Sequence, residues 1–142
     1  MKQNQQFLSS LLKTIQTGQV EIRSVMDTTL GSGLRNTLEG HLREYDSMET
    51  EIYAAALQRG WELPELDPAK RFLKDRLIRM QLNGKSTDSR IADILIRGNT
   101  KSMIRGLRNL HQFEGQDHQI RVLSQKLLDC ETAHIQQMQH YL

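Results

Sequence analysis

The sequence predicts an all-α protein, a bundle of four long helices with a shorter helix near the middle of the chain. Apolar residues recur at steps of three and four along most of the 142 residues, which is the period of an amphipathic helix. The two prolines, Pro64 and Pro68, lie close together, so no other segment contains a proline that would break a helix. We therefore interpret residues 1–142 as a single domain made of two helical hairpins.

The first hairpin is predicted at residues 5–30 and 33–60, with a glycine-rich turn between the two helices. Ser32 is predicted to cap the second helix, because a hydroxyl can accept from the free amides of a first turn. Gly60 is predicted to end it, because glycine tolerates the left-handed conformation of a helix end. The apolar stripe of the second helix consists of Leu34, Leu38, Leu42, Tyr45, Met48, Ile52, Ala55 and Ala56.

The second half of the chain is predicted to hold three more helices, at residues 69–82, 88–113 and 116–141. Asp88 or Thr87 would cap the third long helix, and Gly115 would be the hinge before the last one. Short turns make consecutive helices antiparallel, and the segment 61–87 is long enough to cross the bundle. The prediction is therefore an antiparallel four-helix bundle with a mid-chain crossover that contains the short extra helix.

The third long helix carries two sets of apolar residues that point about a third of a turn apart, at ~100° per residue. The first set is Ile91, Ile94 and Leu95, and the second is Met103, Leu107 and Leu110. Bends at Gly98 and Gly106 are one explanation. The other is a second apolar face that packs against another copy, which predicts a homo-oligomer, most simply a dimer.

The composition is that of an ordinary globular domain, with 37% hydrophobic and 25% charged residues. The sequence has no apolar run long enough to span a bilayer, and polar residues interrupt the apolar ones near its start, unlike a signal peptide. A single cysteine, Cys130, excludes an internal disulfide framework and suits a reducing compartment. We expect a cytoplasmic protein that does not insert into membranes, with Cys130 as a half-buried thiol on the last helix.

The last helix places a carboxylate and an imidazole in the middle of its apolar stripe. Glu131 and His134 both lie within about 40° of the centre of that stripe, so they are predicted to point inward. Ionisable groups rarely occupy such positions without a partner. Glu-x-x-His is also the spacing at which helices of di-iron carboxylate bundles supply ligands.

Other polar residues predicted to point inward are few. On the second helix His41 and Tyr45 lie near the centre of the stripe, with Glu44 at its side. On the first helix Gln19 points inward, whereas Glu21 is predicted to face solvent. The third long helix offers no inward carboxylate in its central turns, only Asn99, Thr100 and Ser102.

Four long helices, a mid-chain crossover and the Glu131-x-x-His134 motif resemble the ferritin-like superfamily. The run from Ala54 to Trp61 is similar to the second-helix end of small bacterial members, spore-coat-type bundles included. The resemblance implies a metal site, with iron or another divalent metal. Its ligands would be Glu131, His134, His41 and Glu44, and Tyr45 and Gln19 would support these ligands by hydrogen bonds. The family pattern is incomplete here, because His41-x-x-Glu44 is reversed and the third long helix has no ligand.

Three interpretations follow for these polar residues. They could form a satisfied polar network with no cofactor, a single or degenerate metal site, or an intact di-iron oxidase or ferroxidase. The incomplete ligand set favours the first. We therefore predict a non-enzymatic structural or interaction protein, with a metal-binding or ferroxidase-like protein as the alternative. The sequence has no phosphate loop, nucleophile elbow or His-Glu-x-x-His motif of standard enzymes.

Charge is distributed unevenly along the chain. Residues 69–108 hold eleven Lys or Arg and three Asp, whereas residues 1–68 hold six basic and ten acidic residues. The predicted basic face consists of Lys70, Arg71, Lys74, Arg97, Lys101, Arg105 and Arg108. A solvated face that pairs with acidic surfaces of another copy is the favoured interpretation. A nucleic-acid-associated bundle is the second alternative, although Phe72 is the only aromatic residue in this segment.

Overall fold

A computed structural model describes residues 2–28, 30–82, 87–112 and 117–142, and these ranges form five α-helices without a β-strand. The helices are α1 (Lys2–Met26), α2 (Ser32–Gln58), α3 (Pro68–Leu82), α4 (Asp88–Gln112) and α5 (His118–Gln139). The all-α prediction is confirmed, and each predicted helix is present with ends shifted by at most four residues. The predicted hinge at Gly115 lies outside the described residues.

Most helix ends follow the predicted chemistry. The Thr87 hydroxyl accepts a hydrogen bond from the Arg90 amide at 3.1 Å, which caps α4. Gly60 has a φ of 68°, the left-handed conformation expected where α2 stops. The prediction that Ser32 caps α2 is wrong. Gly31 is the extended cap residue, no side chain caps the first turn, and the Gly31 amide donates instead to the Asp88 carboxylate at 3.0 Å.

The hydrophobic core is built around α1, which packs against each of the other four helices. Its apolar stripe is fully or almost fully buried, and consists of Phe7, Leu8, Leu11, Leu12, Ile15, Ile22 and Val25. Burying one such large apolar side chain contributes about 1.5–3 kcal/mol. The stripe of α1 is therefore the common surface on which the rest of the molecule assembles.

The segment between α2 and α3 is held against α1 by hydrogen bonds from α1 side chains to its backbone. The buried Gln16 amide oxygen accepts from the Leu66 amide at 2.7 Å, and the Ser9 hydroxyl donates to the Pro64 carbonyl at 3.4 Å. Asp67 then accepts from the Ala69 amide at 2.9 Å, at the start of α3. These bonds satisfy backbone groups that a non-helical segment would otherwise leave unpaired.

The two apolar sets of α4 have different surroundings. Ile91, Ile94 and Leu95 are buried in the core, whereas Leu107 is 42% exposed and Met103 and Leu110 are partly exposed. The first set therefore faces the core, and the second leaves apolar surface at the outside. Within the described ranges, no helix combines the length and the apolar character needed to cross a membrane.

Two helical glycines should respond to alanine in opposite ways. A Cβ at Gly18 would lie 2.7 Å from the ring of the buried Tyr45, so Gly18→Ala should destabilise the protein by about 1–3 kcal/mol. At Gly40 the nearest atom would be the Arg43 guanidinium at 3.8 Å, so Gly40→Ala should stabilise by about 0.5–1 kcal/mol. Urea denaturation of both variants measures this difference. Equal effects would show that Tyr45 does not pack tightly on α1.

Candidate metal centre

The Glu-x-x-His motif lies inside the protein, as its spacing predicts. Glu131 and His134 on α5 are each only 1% exposed. His41 and Tyr45 on α2 are buried beside them. Helices α2 and α5 therefore place a group of ionisable side chains within an otherwise apolar core.

The His134 ring is fixed by aromatic contacts from α2. It stacks on the His41 ring, with centroids 3.6 Å apart and planes 14° from parallel, and it meets the edge of Tyr45 at 5.1 Å. His41 is held by a 2.5 Å hydrogen bond between its Nε2 and Gln137 Oε1. Tyr45 donates its hydroxyl proton to Asn99 Oδ1 on α4 at 3.3 Å. The orientation of the imidazole is therefore set by three helices.

On its outer side, His134 belongs to a small cluster of metal-ligating atoms. Its Nε2 lies 2.7 Å from Glu44 Oε2 and 3.3 Å from Cys130 Sγ, and the Cys130 thiol donates to the same carboxylate oxygen at 3.3 Å. These three atoms are within 4.8 Å of one another. The Glu44 side chain is 56% exposed, so the cluster reaches solvent through Glu44, whereas the His134 ring stays buried. An open groove of about 600 Å³, lined in part by His41, Glu44 and Gln137, leads to it.

Glu131 and His134 also have unpaired polar atoms. Among the described residues, His134 Nδ1 and both carboxylate oxygens of Glu131 are buried and have no hydrogen-bond partner. A cavity of about 10 Å³ next to the ring is lined in part by Glu21, His41, Asn99 and His134. Buried polar atoms are almost always paired in folded proteins, because an unpaired one costs about 1–3 kcal/mol. Glu131 is not among the residues that line this cavity, so it is the three unpaired atoms of the Glu-x-x-His motif, and not the cavity, that mark the motif as a candidate site.

Glu21 corrects one prediction, because it is buried with 4% exposure instead of facing solvent. The reason is α3, which packs on α1 and brings Lys74 Nζ to 3.6 Å from Glu21 Oε2. On the other side the carboxylate lies against Gly98 of α4, where a Cβ would be only 2.0 Å from Glu21 Oε2. The apolar stripe of α1 alone does not reveal this burial, because α3 covers the face of α1 that carries Glu21. The core therefore contains a second carboxylate.

The two buried carboxylates influence each other. Burial raises the pKa of Glu131 to about 8, and the negative charge of Glu21 adds to this rise, while Arg105 opposes it. Burial also raises the pKa of Glu21, against the attraction of Lys74, Lys101 and Arg105. Glu131 is thus mostly protonated near neutral pH in the absence of a cation. A bound cation would favour its charged form.

The imidazoles and the thiol are neutral near pH 7. Burial lowers the pKa of His134 to about 4, with a further contribution from His41 and an opposing one from Glu44. Burial also lowers the pKa of His41 and raises the pKa of the Cys130 thiol. Burial alone would raise the pKa of Glu44, but the hydrogen bonds from His134 and Cys130 outweigh it and the pKa falls. Neutral imidazole is the form that ligates metals, whereas the thiol must first lose its proton.

The other predicted site residues lie elsewhere. Gln19, predicted to support the metal ligands, is buried but donates to Asp46 Oδ1 at 2.8 Å and to Glu49 Oε1 at 3.4 Å. These bonds join α1 to α2, and no described bond connects Gln19 to Glu131 or His134. His41 contacts His134 by stacking and uses its Nε2 for Gln137.

The predicted basic face is partly engaged with internal carboxylates. Lys74 pairs with the buried Glu21, and Arg97 pairs with Asp93 of its own helix at 2.9 Å. Arg71 donates to the Leu66 carbonyl at 3.2 Å. The remaining members, Lys70, Lys101, Arg105 and Arg108, are exposed. A nucleic-acid interface on this face stays a prediction.

Sequence reasoning missed two residues of the centre, Cys130 and Glu21. Cys130 is half-buried as predicted, but its position four residues before His134 places both side chains on one helix face, and this spacing was an available signal. Glu21 had no such signal, because its burial depends on how α3 packs.

A di-iron centre does not fit these residues. Such centres take carboxylates from four helices and an imidazole from two of them. Here α4 offers the Asn99 amide, His41 Nε2 is bonded to Gln137, and Glu44 lies on the outer side of His134. The inner donors that remain are Glu131, His134 Nδ1 and the ion-paired Glu21. Their ligand atoms are not all within 4.8 Å of one another, since among the described residues the group that meets this distance is Glu44, Cys130 and His134.

Comparison with known proteins gives no further guide. No protein-family model matches the chain, and neither curated proteins nor solved structures give a significant match. The functional conclusion therefore depends on the side chains of the centre.

Replacing Glu131 should change the pH dependence of stability in metal-free protein. The folded chain keeps the Glu131 proton up to about pH 8, whereas an unfolded chain releases it near pH 4.5. The contribution of Glu131 to the free energy of unfolding is therefore complete below pH 4.5 and is lost as the pH rises to 8. Glu131→Gln removes the effect. Between pH 5 and pH 8, the free energy of unfolding of the variant should rise relative to that of the wild type by about a few kcal/mol.

Urea denaturation in chelator at both pH values measures that gain. Asp129→Asn, which changes an exposed carboxylate two residues away, is the matched control and should show no gain. The opposing titration of His134 is common to all three proteins and cancels in the comparison. A constant difference between Glu131→Gln and wild type would mean that Glu131 is ionised in the core.

Proposed function

We propose that this protein is a non-enzymatic helical bundle of ferritin-like type that binds one divalent transition-metal ion, with Glu131 and Nδ1 of His134 as ligands. The observation that carries the proposal is the set of three unpaired buried atoms on these two residues. A bound ion would supply the positive charge and the electron-pair acceptor that these atoms lack.

The surroundings of His134 support this choice. Its Nε2 lies 2.7 Å from Glu44 Oε2, so a proton on Nε2 is held by a carboxylate and Nδ1 keeps its lone pair toward the core. Histidines that ligate metals commonly donate their other ring N–H to a carboxylate in this way. The low pKa of His134, about 4, keeps the ring neutral over the physiological range. Carboxylate and imidazole donors suit iron(II), manganese(II) and zinc(II).

The donor set does not support oxidase chemistry. Oxygen activation at paired iron ions depends on bridging carboxylates, and among the described residues the buried carboxylates are Glu131 and the ion-paired Glu21. A single bound ion would instead stabilise the bundle, because ligand binding to the folded state alone favours folding. The bound metal would therefore have a structural role.

The finer architecture is part of the same proposal. The four long helices would run antiparallel, with α3 in the crossover between hairpins, because the connections after α1 and after α4 are short. Leu107 and Ile104 of α4, 42% and 46% exposed, would form the contact of a homodimer. The single cysteine supports a reducing, cytoplasmic location.

Metal content tests the proposal. Protein purified without affinity-tag metals or chelator should contain about one transition-metal ion per chain by elemental analysis. Glu131→Gln and His134→Gln should lose it, and Glu44→Gln should weaken affinity about 10- to 100-fold by removing the partner of Nε2. Glu49→Gln, a change of a carboxylate on the same helix that bonds Gln16 and Gln19, is the matched control and should retain the metal.

Two other results would contradict the proposal. One is wild-type protein that is metal-free and fails to bind added iron(II), manganese(II) or zinc(II). These residues would then form a polar network without a cofactor. Two ions per chain with oxygen consumption would indicate a ferroxidase.

The outer side of His134 is a second candidate for the metal. Glu44, Cys130 and His134 bring a carboxylate, a thiol and an imidazole within 4.8 Å, which is a donor set suited to zinc or cobalt. A metal there would displace the thiol proton, and the raised pKa of Cys130 opposes that displacement. The existing hydrogen bonds also satisfy this side without an ion. The inner position is therefore the better candidate.

Cobalt(II) spectroscopy separates the two positions. Binding at the inner side should give only weak visible bands, unchanged in Cys130→Ser and absent in Glu131→Gln. Binding at the outer side should give an intense near-ultraviolet band from sulfur-to-metal charge transfer, present in Glu131→Gln and absent in Cys130→Ser. We expect the first pattern, and the second would move the site to Glu44, Cys130 and His134.

A further inference from the structure

Helix α3 exposes an apolar face that the rest of the described chain does not cover. Phe72 is 67% exposed, Leu73 59%, Leu77 47% and Met80 69%. Single exposed apolar residues are common on protein surfaces, but four large ones on a fifteen-residue helix form a patch. We call these four residues the α3 apolar face.

The face is a continuous outer side of the helix. Positions 72, 73, 76, 77 and 80 follow helical spacing, and Ile78 and Leu82 on the opposite side are buried against the core. The inner side is tied down by polar bonds as well, since Asp75 accepts from the Ser24 hydroxyl at 2.6 Å. The packing of α3 therefore needs only its inner side, and the apolar face is free for another contact.

Positive charge surrounds this face. Helix α3 contains five Lys or Arg and one acidic residue, Asp75, which lies on the inner side with Ser24 and Arg79. The Arg76 guanidinium lies over the Phe72 ring at 5.9 Å, in the middle of the face, and Lys70 is exposed beside it. Lys101 lines a groove together with Leu77, and Lys74 and Arg97 line it too, although they pair with Glu21 and Asp93. A partner for the face must therefore be apolar and anionic together.

We propose that the α3 apolar face binds the surface of an anionic phospholipid bilayer. A helix that presents Phe, Leu and Met between Lys and Arg can lie in the plane of the interface. Its apolar side chains enter the boundary between headgroups and acyl chains, while its cations remain at the phosphates. Arg and Lys side chains suit this arrangement, because their long stems reach the headgroups from an apolar surface.

Other occupants match the face less well. A symmetric contact with a second copy would set the Arg76 side chains and their basic neighbours against each other. Nucleic acid would use the cations but not Leu73, Leu77 and Met80, since bases stack on aromatic rings. An acidic protein surface would satisfy the charges and leave the four apolar side chains without an apolar partner. A bilayer with anionic headgroups supplies both.

Co-sedimentation with vesicles tests the proposal on the full chain. The protein should bind vesicles of phosphatidylcholine with phosphatidylglycerol, and it should not bind phosphatidylcholine alone. Phe72→Ser with Met80→Ser should weaken binding at least about tenfold, since two apolar anchors are lost. Lys70→Glu with Arg76→Glu should weaken vesicle binding more at low salt than at high salt. These side chains are exposed, so the variants should keep the helical circular dichroism and thermal stability of the wild type.

Leu57→Ser is the control for loss of an exposed apolar residue, because Leu57 is 81% exposed but lies on α2. It should bind vesicles like the wild type. No binding of the wild type to anionic vesicles overturns the proposal, and so does equal binding of the Phe72 and Met80 double variant. Loss of a wild-type dimer in that double variant, seen by light scattering without vesicle binding, would assign the face to contact between copies.

Discussion

The candidate metal centre depends on the burial of Glu131 and His134 in the common core of the helices. A buried carboxylate without a partner is too costly to remain charged, so it must be protonated, paired or bound to a cation. The sequence places no arginine or lysine within direct reach of Glu131 in the described ranges, and Arg105 only moderates its pKa. The neighbouring side chains are arranged around this cost: both imidazoles are neutral, and Glu44 fixes the His134 ring from the outer side.

The short helix α3 links this core to the surface. Its inner side carries Lys74 to Glu21, which neutralises part of the charge next to Glu131, and its outer side leaves the α3 apolar face exposed. Removal of α3 would expose Glu21 to water and weaken the field that raises the pKa of Glu131. A contact that moved α3 would therefore alter the electrostatics of the metal centre, without touching it directly.

The sequence predicts the helices and the inward direction of Glu131, His134, His41 and Tyr45 because these depend on local periodicity and on helix-ending residues. It does not predict Glu21, because the burial of that residue depends on a contact between helices fifty residues apart in the chain. Cys130 lies between these cases. Its spacing from His134 is local, but its bond to Glu44 requires the packing of α2 on α5. Local pattern therefore gives half of the centre, and tertiary packing gives the rest.

The two ring nitrogens of His134 share a single proton, so a metal can bind at the inner or at the outer position but not at both. A neutral imidazole has one nitrogen that donates and one that can ligate. When Nε2 donates to Glu44, Nδ1 keeps its lone pair, and a metal could bind there; a metal that took Nε2 beside Cys130 would leave the proton on Nδ1. In the structure the Nε2 side has its hydrogen bond to Glu44, whereas Nδ1 is without a partner. One neutral histidine can therefore ligate one metal ion in this centre, and Glu44 orients the ring while Nδ1 is the ligand.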